Sequence, residues 1–137
     1  MTKTDVFFDT NVLVYALVGD APLAEPSLAL LEAGGTVSVQ MLNERANTMR
    51  RKFSANWPQT MKASERIREL CAVVPLTGET HVRGLALAER YGLSVYDAMI
   101  VAAALLAGCT TLHTEDMHDG LVIEGLTIRN PYAPGGS

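Results

Sequence analysis

The sequence feature that most constrains the fold is the alternation of short β-rich apolar segments with longer helical patterns. Residues 6–8 (VFF) and 109–112 (CTTL) are two of the β-rich segments, and residues 94–107 are rich in Ala, Leu and Met, as helices are. Strands that alternate with helices in this way predict a mainly parallel sheet covered by helices on both faces. We therefore predict an α/β fold, a three-layer α/β/α sandwich around a short central sheet.

The predicted elements cover most of the chain. We predict strands at 6–8, 36–39, 72–74, 109–113 and 126–128, and a polar loop at 114–120. We predict helices at 12–18, 27–32, 42–53, 58–71, 79–91 and 94–107. The apolar helix positions expected to face the core include Leu42, Ala46, Met49, Phe53, Leu85, Leu87 and Ala88. Pro22 and Pro26 are expected to bracket a turn before the second helix.

Length and composition limit the class of protein. A chain of 137 residues predicts one domain, which we place at 1–131 with a tail at 132–137. Hydrophobic residues are 48% and charged residues 19%, which disfavours long disorder. The net charge of -4 argues against holding nucleic acid by bulk positive charge, although an acidic protein can act on nucleic acid through a metal site.

Cysteine content and hydropathy indicate a protein of the cytoplasm. Cys71 and Cys109 are too few for a disulfide scaffold, so we expect reduced thiols. The longest apolar run, residues 98–107, is about half of the roughly twenty residues that a membrane span needs. No signal peptide is recognisable. We expect a cytoplasmic domain with no membrane association.

Four acidic residues fall at the same predicted edge of the sheet. Asp9 directly follows the first strand, Glu44 lies in the first turn of the helix after the second strand, and Asp116 lies in the loop after the strand 109–113. Asp97 opens the helix that leads back to that strand. Ligands of such sheets bind beyond the carboxyl ends of the strands, so we expect the four carboxylates to converge there.

Each acid also has a simpler structural explanation. Asp9 suits a helix cap, Glu44 a helix dipole, Asp97 a capping box with Ser94, and Asp116 a loop. Chance would scatter acids over both edges of the sheet, and close carboxylates resist joint ionisation unless a cation binds between them. A site of oxygen ligands without His or Cys favours Mg²⁺ or Mn²⁺, and such ions support hydrolysis of phosphodiesters.

Four segments in order resemble the PIN-domain family, and specifically the VapC-type toxin ribonucleases of type II toxin–antitoxin pairs. They are residues 8–15 (FDTNVLVY), 39–44 (VQMLNE), 94–100 (SVYDAMI) and 114–117 (TEDM), followed by Gly120 and 130–131 (NP). This resemblance covers residues 5–131. It implies RNA cleavage that depends on Mg²⁺ or Mn²⁺, a homodimer, and a cognate antitoxin protein that blocks the site.

The resemblance also implies roles for individual residues. Asp9, Glu44, Asp97 and Asp116 correspond to the catalytic and metal-binding quartet of the family. Thr10, Asn11 and Thr114 correspond to supporting polar positions. Glu115 and Asp119 lie close enough in sequence to assist or replace Asp116.

Other chemistries remain open at this stage. A non-catalytic PIN-like module would bind RNA or protein through the same surface. His113 and His118 could act together as acid and base in metal-free RNA cleavage, although nothing in the sequence pairs them. An aspartyl-phosphate phosphatase needs a second Asp two residues after the nucleophile, where this chain has Asn11.

The main cluster of basic residues follows the second acid. Arg50, Arg51 and Lys52 are one to two helical turns beyond Glu44 and are candidates for contact with RNA phosphates, against a solvated helix face as the default. Trp57 is expected to pack or to form a dimer contact, with base stacking as the less favoured role.

Overall fold

The computed structural model describes residues 5–17 and 22–133. Within these ranges the strands are β1 (Val6–Phe8), β2 (Gly35–Ser38), β3 (Cys71–Val74), β4 (Thr111–His113), β5 (Val122–Ile123) and β6 (Leu126–Arg129). The helices are α1 (Thr10–Ala16), α2 (Ala24–Ala33), α3 (Val39–Lys52), α4 (Trp57–Leu70), α5 (Gly78–Tyr91) and α6 (Val95–Leu106).

The strands form one sheet in the order β3-β2-β1-β4-β6-β5, parallel except for the β5–β6 pair. The chain runs from β1 outward to β2 and β3, then crosses back to β4 on the other side of β1. Because such crossovers are right-handed, the helices of the outward and the returning connections lie on opposite faces of the sheet. The predicted three-layer α/β/α architecture with a mainly parallel sheet is confirmed.

Strand β1 lies at the centre of the core. Its neighbouring residues Phe7 and Phe8 point to opposite faces of the sheet, and both are fully buried. A strand buried on both faces is typical of the interior of a parallel sheet. The ring of Phe8 packs so closely against Gly35 of β2 that a Cβ there would lie 2.3 Å from the ring carbon Cε2.

Side-chain caps mark the start of each described helix except α2. The Asn56 side chain accepts from the backbone N–H of Gln59, and the Gln59 side chain accepts from the N–H of Asn56, which forms a capping box at α4. Ser38 and Ser94 accept from backbone N–H groups in the first turns of α3 and α6. These two caps set the rotation of the helices that carry Glu44 and Asp97.

Several predicted boundaries and core positions differ from the structure. Helix α3 begins at Val39, so Glu44 lies in its second turn rather than its first. Helix α2 includes Pro26 because proline is tolerated in a first turn, where the N–H has no helical partner. Phe53 and Leu85, predicted to face the core, are 46% and 45% exposed.

The end of the described chain packs on the domain. Tyr132, placed in the predicted tail, makes an edge-to-face contact with Tyr15, and its hydroxyl hydrogen-bonds to the Ser27 hydroxyl. The short antiparallel strand β5 was not predicted, since two residues are too few for a periodic pattern. The first helix, predicted over 12–18, spans Thr10–Ala16 with Leu17 as its C-cap. Predictions for residues 1–4, 18–21 and 134–137 lie outside the described residues.

Both cysteines are buried thiols, as expected for a reduced chain. In the part of the chain that the structure describes, no helix combines the length and the apolar character needed to cross a bilayer.

Candidate active site

The strand order reverses between the parallel strands β1 and β4, and such a topological switch point is where open α/β sheets bind ligands. A cleft of about 310 Å³ lies there. All four predicted acids line it, from four separate parts of the chain. The lining residues are Asp9, Thr10, Ser38, Gln40, Met41, Glu44, Leu76, Tyr96, Asp97, Met99, Ile100, Ala103 and Asp116.

Asp9 is the buried acid of the cleft, with 4% of its surface exposed. It caps α1, since its Oδ1 accepts from the Thr10 N–H at 2.6 Å, and its Oδ2 accepts from the Thr114 hydroxyl at 2.7 Å. Burial raises the pKa of Asp9 to about 6, and the nearby charges of Asp116 and Glu44 add to that rise against the two hydrogen bonds. Asp9 therefore does cap α1, as the simpler explanation proposed. Capping does not explain why Asp116 and Glu44 lie close to it.

The Glu44 carboxylate is positioned by hydrogen bonds from α1 and from α3, the helix that carries it. Its Oε1 accepts from the Thr10 hydroxyl at 2.8 Å, and its Oε2 accepts from the Gln40 amide at 3.2 Å, one turn earlier on α3. Thr10 thus links the helix capped by Asp9 to the helix that carries Glu44. The supporting role predicted for Thr10 corresponds to a direct contact in the structure.

Asp116 follows β4 and faces Asp9 across the switch point. Its Oδ2 accepts from the Asn11 amide at 3.1 Å, and its backbone N–H donates to the Thr114 hydroxyl at 3.1 Å. The Thr114 hydroxyl in turn donates to Asp9. Asn11 and Thr114 therefore fix the two carboxylates relative to each other.

The two acids that flank Asp116 in sequence point elsewhere. Glu115 accepts from the hydroxyl of Tyr15, and Asp119 accepts from the Asn130 N–H at 2.8 Å. Neither lines the cleft. The geometry favours Asp116 over both as the acid that follows β4.

Asp97 lines the cleft from the first turn of α6. The Ser94 hydroxyl accepts from the Asp97 backbone N–H at 3.1 Å, which sets the start of the helix. The Asp97 carboxylate makes no hydrogen bond with the described residues, so both its oxygens are open to a ligand. The neighbouring Tyr96 is 78% exposed at the mouth of the cleft.

The donor set of the cleft fits a hard divalent cation. The acids are oxygen donors, and no His or Cys lines the cleft. In residues 5–17 and 22–133 no three His, Cys, Asp or Glu side chains form a ready-made ligand group. Mg²⁺ does not require one, because it commonly keeps several waters and binds through one or two carboxylates. The pKa of Asp9 is raised chiefly by burial and further by the carboxylates of Asp116 and Glu44, and a cation bound beside Asp9 would offset that cost of ionisation.

Comparison with protein families gives one match, in which the model of the PIN domain aligns with residues 6–118. The chain belongs to the PIN-domain family. The match includes all four acids of the cleft.

Several solved structures share the fold of this PIN domain. A toxin–antitoxin complex from Klebsiella pneumoniae has a TM-score of 0.72 at 23% identity, over 93% of this chain and 98% of that one. DNA-bound VapBC from Salmonella typhimurium has a TM-score of 0.67 at 17% identity, over 93% and 98% of the two chains. A sarcin–ricin loop cleaving VapC toxin from Mycobacterium tuberculosis has a TM-score of 0.63 at 18% identity, over 78% and 86%. At these identities the likeness concerns the fold. No curated protein sequence matches significantly.

The structure adds residues to the PIN-domain site that sequence reasoning missed. Gln40 holds Glu44, and its spacing of four residues on one helix was the available signal. Tyr15 holds Glu115, 100 residues away in sequence, and no local pattern indicates that contact. Met99 also lines the cleft, and no sequence pattern marked it as a site residue.

The predicted basic residues lie at the far end of α3 from the cleft. Arg50 stacks its guanidinium on Trp57, 4.0 Å from the ring centroid, and donates to the Ala55 carbonyl at 2.7 Å. Arg51 and Lys52 are exposed. None of the three lines the cleft, and six to eight residues of helix place them roughly 9–12 Å along α3 from Glu44.

The histidines do not form an acid–base pair. His113 is buried, stacks on Phe8 and has an Nδ1 without a partner among the described residues. Burial lowers the pKa of His113, with a contribution from the charge of Arg129. His118 is exposed, and neither histidine lines the cleft. The geometry therefore does not favour metal-free catalysis by histidine.

Proposed function

We propose that this PIN domain is a metal-dependent endoribonuclease and the toxin of a toxin–antitoxin pair. The observation that carries the proposal is the convergence of Asp9, Glu44, Asp97 and Asp116 on one cleft at the switch point of the sheet. Membership of the PIN-domain family and a fold shared with VapC toxins support it. A non-catalytic module, the alternative, would have little use for four carboxylates in one cleft, two of which, Asp116 and Glu44, add to the cost of ionising the buried Asp9.

In this proposal the cofactor is Mg²⁺ or Mn²⁺, held by Asp9 and Asp116 with Glu44 and Asp97 across the cleft. When bound, such an ion supplies Lewis acidity, which neutralises charge on the phosphate and acidifies the attacking water. Thr114 and Asn11 orient the first two carboxylates, and Thr10 with Gln40 orient Glu44. The carboxylate oxygens of Asp97 have no partner among the described residues. In this proposal they bind a ligand or accept a proton from the attacking water.

The proposed partners are an RNA substrate, a cognate antitoxin protein and a second copy of the chain. The antitoxin is proposed because solved structures of this fold include toxin–antitoxin complexes. A homodimer is supported by apolar side chains exposed on α5 and at the start of α6, namely Val82, Leu85, Val95 and Tyr96. We propose that the protein acts on RNA in the cytoplasm. Arg50, Arg51 and Lys52 remain proposed contacts with the phosphates of that RNA.

The test is cleavage of a mixed bacterial RNA pool with Mg²⁺, with Mn²⁺ and with EDTA. Asp97→Asn is the informative variant, because its side chain has no structural hydrogen bond to lose, and we expect a loss of at least about a hundredfold in rate. Asp9→Asn should lose cleavage likewise. Glu115→Gln is the matched control, since it lies beside Asp116 but outside the cleft and keeps an acceptor for Tyr15.

Metal-dependent cuts that vanish in Asp97→Asn and persist in Glu115→Gln would establish the nuclease and its acidic site. Cleavage that survives EDTA, or full activity in Asp97→Asn, would contradict the proposal. Absence of both cleavage and Mg²⁺ binding would favour the non-catalytic module.

A further inference from the structure

A second cavity, of about 450 Å³, lies away from the acidic cleft, between the end of α1 and the helices α3 and α4. The residues that line it are Leu17, Arg45, Met49, Phe53, Ala55, Gln59, Thr60 and Ala63. None of these residues lines the acidic cleft. The proposed nuclease chemistry gives this cavity no role.

The cavity is lined by a buried cation that has no acidic partner among the described residues. Arg45 is 2% exposed, and its Nε donates to the Leu13 carbonyl at 3.1 Å. That carbonyl belongs to the last turn of α1, whose carbonyls have no helical partner, so this bond has a structural reason. No carboxylate of the described residues forms an ion pair with Arg45. Burial lowers the pKa of the guanidinium, and no nearby acid opposes that effect.

The other side-chain nitrogens of Arg45 are not among the fully buried atoms that lack a hydrogen-bond partner. Among the described residues, the buried side-chain polar atoms without a partner are Asn11 Oδ1 and His113 Nδ1, and no Arg45 atom is among them. Arg45 makes no hydrogen bond with the described residues besides the one to Leu13, so we infer that its remaining N–H groups face the cavity that it lines. An unpaired buried charge is costly, and a carboxylate matches the planar fork of a guanidinium.

The side chains that line the cavity favour the carboxylate of a peptide over the phosphate of a nucleic acid. Leu17, Met49, Phe53 and Ala63 contribute apolar groups to the lining, beside the polar side chains of Gln59 and Thr60, and Phe53 is 46% exposed. A phosphate of a nucleic acid would bring a hydrated ribose against these groups, whereas a peptide can offer apolar side chains beside one carboxylate. We propose that this cavity binds a Glu or Asp side chain on an apolar segment of a partner protein, with Arg45 as the anchor of the carboxylate.

The test is independent of nuclease activity. The full chain, labelled with ¹⁵N and at its methyl groups, is titrated with acetyl-Leu-Glu-Leu-amide and with the uncharged acetyl-Leu-Gln-Leu-amide. We expect the Glu peptide to shift the Arg45 Nε–H signal and the Met49 methyl signal with saturation, and to bind about tenfold or more tightly than the Gln peptide. The acidic-cleft residues, such as Asp97, should not follow the same isotherm.

Two variants separate binding from folding. Arg45→Gln should abolish the preference for the Glu peptide. Ala63→Met leaves Arg45 intact and fills the cavity, so it should weaken the binding of both peptides if the cavity is the site. Arg51→Gln, at an exposed cation on the same helix, should bind as the wild type does. The amide spectrum of each variant shows directly whether it is folded.

Several outcomes of these titrations would overturn the proposal. These are equal binding of the two peptides, shifts that do not saturate, an unchanged affinity in Ala63→Met, and tighter binding of inorganic phosphate than of the Glu peptide. The last would point to nucleic acid instead. Asp20 lies three residues after Leu17 in sequence, outside the described residues. If the Glu peptide bound to Asp20→Asn and not to the wild type, the result would indicate that Asp20 of the same chain pairs with Arg45. The proposal would then be wrong.

Discussion

At the scale of single residues, Asp9 combines two roles that conflict electrostatically. Its side chain caps α1 and accepts from Thr114, which requires a charged or strongly accepting carboxylate. It is also buried beside Asp116 and Glu44, which makes the charged form costly and raises the pKa of Asp9 to about 6. The folded state therefore carries an electrostatic cost at neutral pH that a cation in the cleft would remove.

This cost predicts an unusual dependence of stability on pH. Between pH 4 and 6 the folded protein holds a proton on Asp9 that the unfolded chain releases, so raising the pH lowers the free energy of unfolding. The loss from this group reaches roughly 3 kcal/mol and is complete above the folded pKa. Asp9→Asn should therefore gain stability relative to the wild type as the pH rises from 4 to 7.5 in EDTA, as measured by urea unfolding.

Glu65→Gln, at an exposed acid on α4, is the control and should show no such change with pH relative to the wild type. Adding Mg²⁺ at pH 7.5 should stabilise the wild type and not Asp9→Asn. A difference between the wild type and Asp9→Asn that is constant over pH would contradict this account of the buried carboxylate.

At the scale of secondary-structure elements, the loop after β4 is fastened at two points. Asn11 of α1 binds Asp116, and one turn later on the same helix Tyr15 binds Glu115. Tyr15 in turn packs edge to face on Tyr132, whose hydroxyl bonds to Ser27 of α2. The hydrogen bond to Glu115 is the main reason why the pKa of Tyr15 rises to about 12, so its hydroxyl stays a donor at neutral pH.

Removing that hydroxyl should loosen the loop that carries Asp116. Tyr15→Phe leaves Glu115 without its donor, and we expect a loss of about 1 kcal/mol in the free energy of unfolding. Hydrogen exchange of the Asp116 amide, which donates to Thr114, should become faster. Tyr96→Phe is the control, because that hydroxyl lies on an exposed side chain and should change neither quantity.

Packing of β1 against β2 sets a second prediction at this scale. Gly35→Ala would place a methyl group 2.3 Å from the ring of the fully buried Phe8, and the rigid ring has little room to move. We expect a loss of about 1–3 kcal/mol in the free energy of unfolding, measured with urea.

Gly78→Ala is the matched control for this substitution. A Cβ at Gly78, the first residue of α5, meets no atom within 4 Å. Alanine there should leave stability unchanged or raise it by up to about 1 kcal/mol, because it reduces the freedom of the unfolded chain. Equal effects of the two substitutions would show that steric overlap with Phe8 is not the cause.

At the scale of the whole molecule, charge is unevenly distributed. The net charge is -4, yet the last turn of α3 carries Arg50, Arg51 and Lys52 in succession. Arg50 is engaged with Trp57 and Ala55, which leaves Arg51 and Lys52 as the exposed pair. A strand of RNA bound at the acidic cleft needs such local positive charge, because the cleft itself repels phosphate.

The proposed phosphate contacts predict how RNA binding responds to salt. In the Asp97→Asn background, which prevents cleavage, Arg51→Gln with Lys52→Gln should weaken RNA binding at every sequence. The slope of log affinity against log salt should fall by about 0.7 for each cation that meets a phosphate of a single strand. Arg66→Gln with Arg68→Gln, on exposed positions of α4, is the control for total charge. An unchanged slope in the first pair would exclude these contacts.

The sequence by itself determined the fold class, the order of most elements and the four acids. The alternation of strand and helix patterns carries that information locally, and acids that follow parallel strands must meet at one edge of the sheet. The PIN-domain resemblance was likewise readable in short segments, such as residues 8–15.

Only the tertiary structure decided which side chains hold those acids in place. The choice of Asp116 over Glu115 rests on Tyr15 and Asn11, both about 100 residues away in the chain. The exposure of Phe53 and Leu85 and the cavity around Arg45 depend on how whole helices pack, not on their periodicity. A local pattern shows which face of a helix is apolar, but contacts between distant segments decide what covers that face.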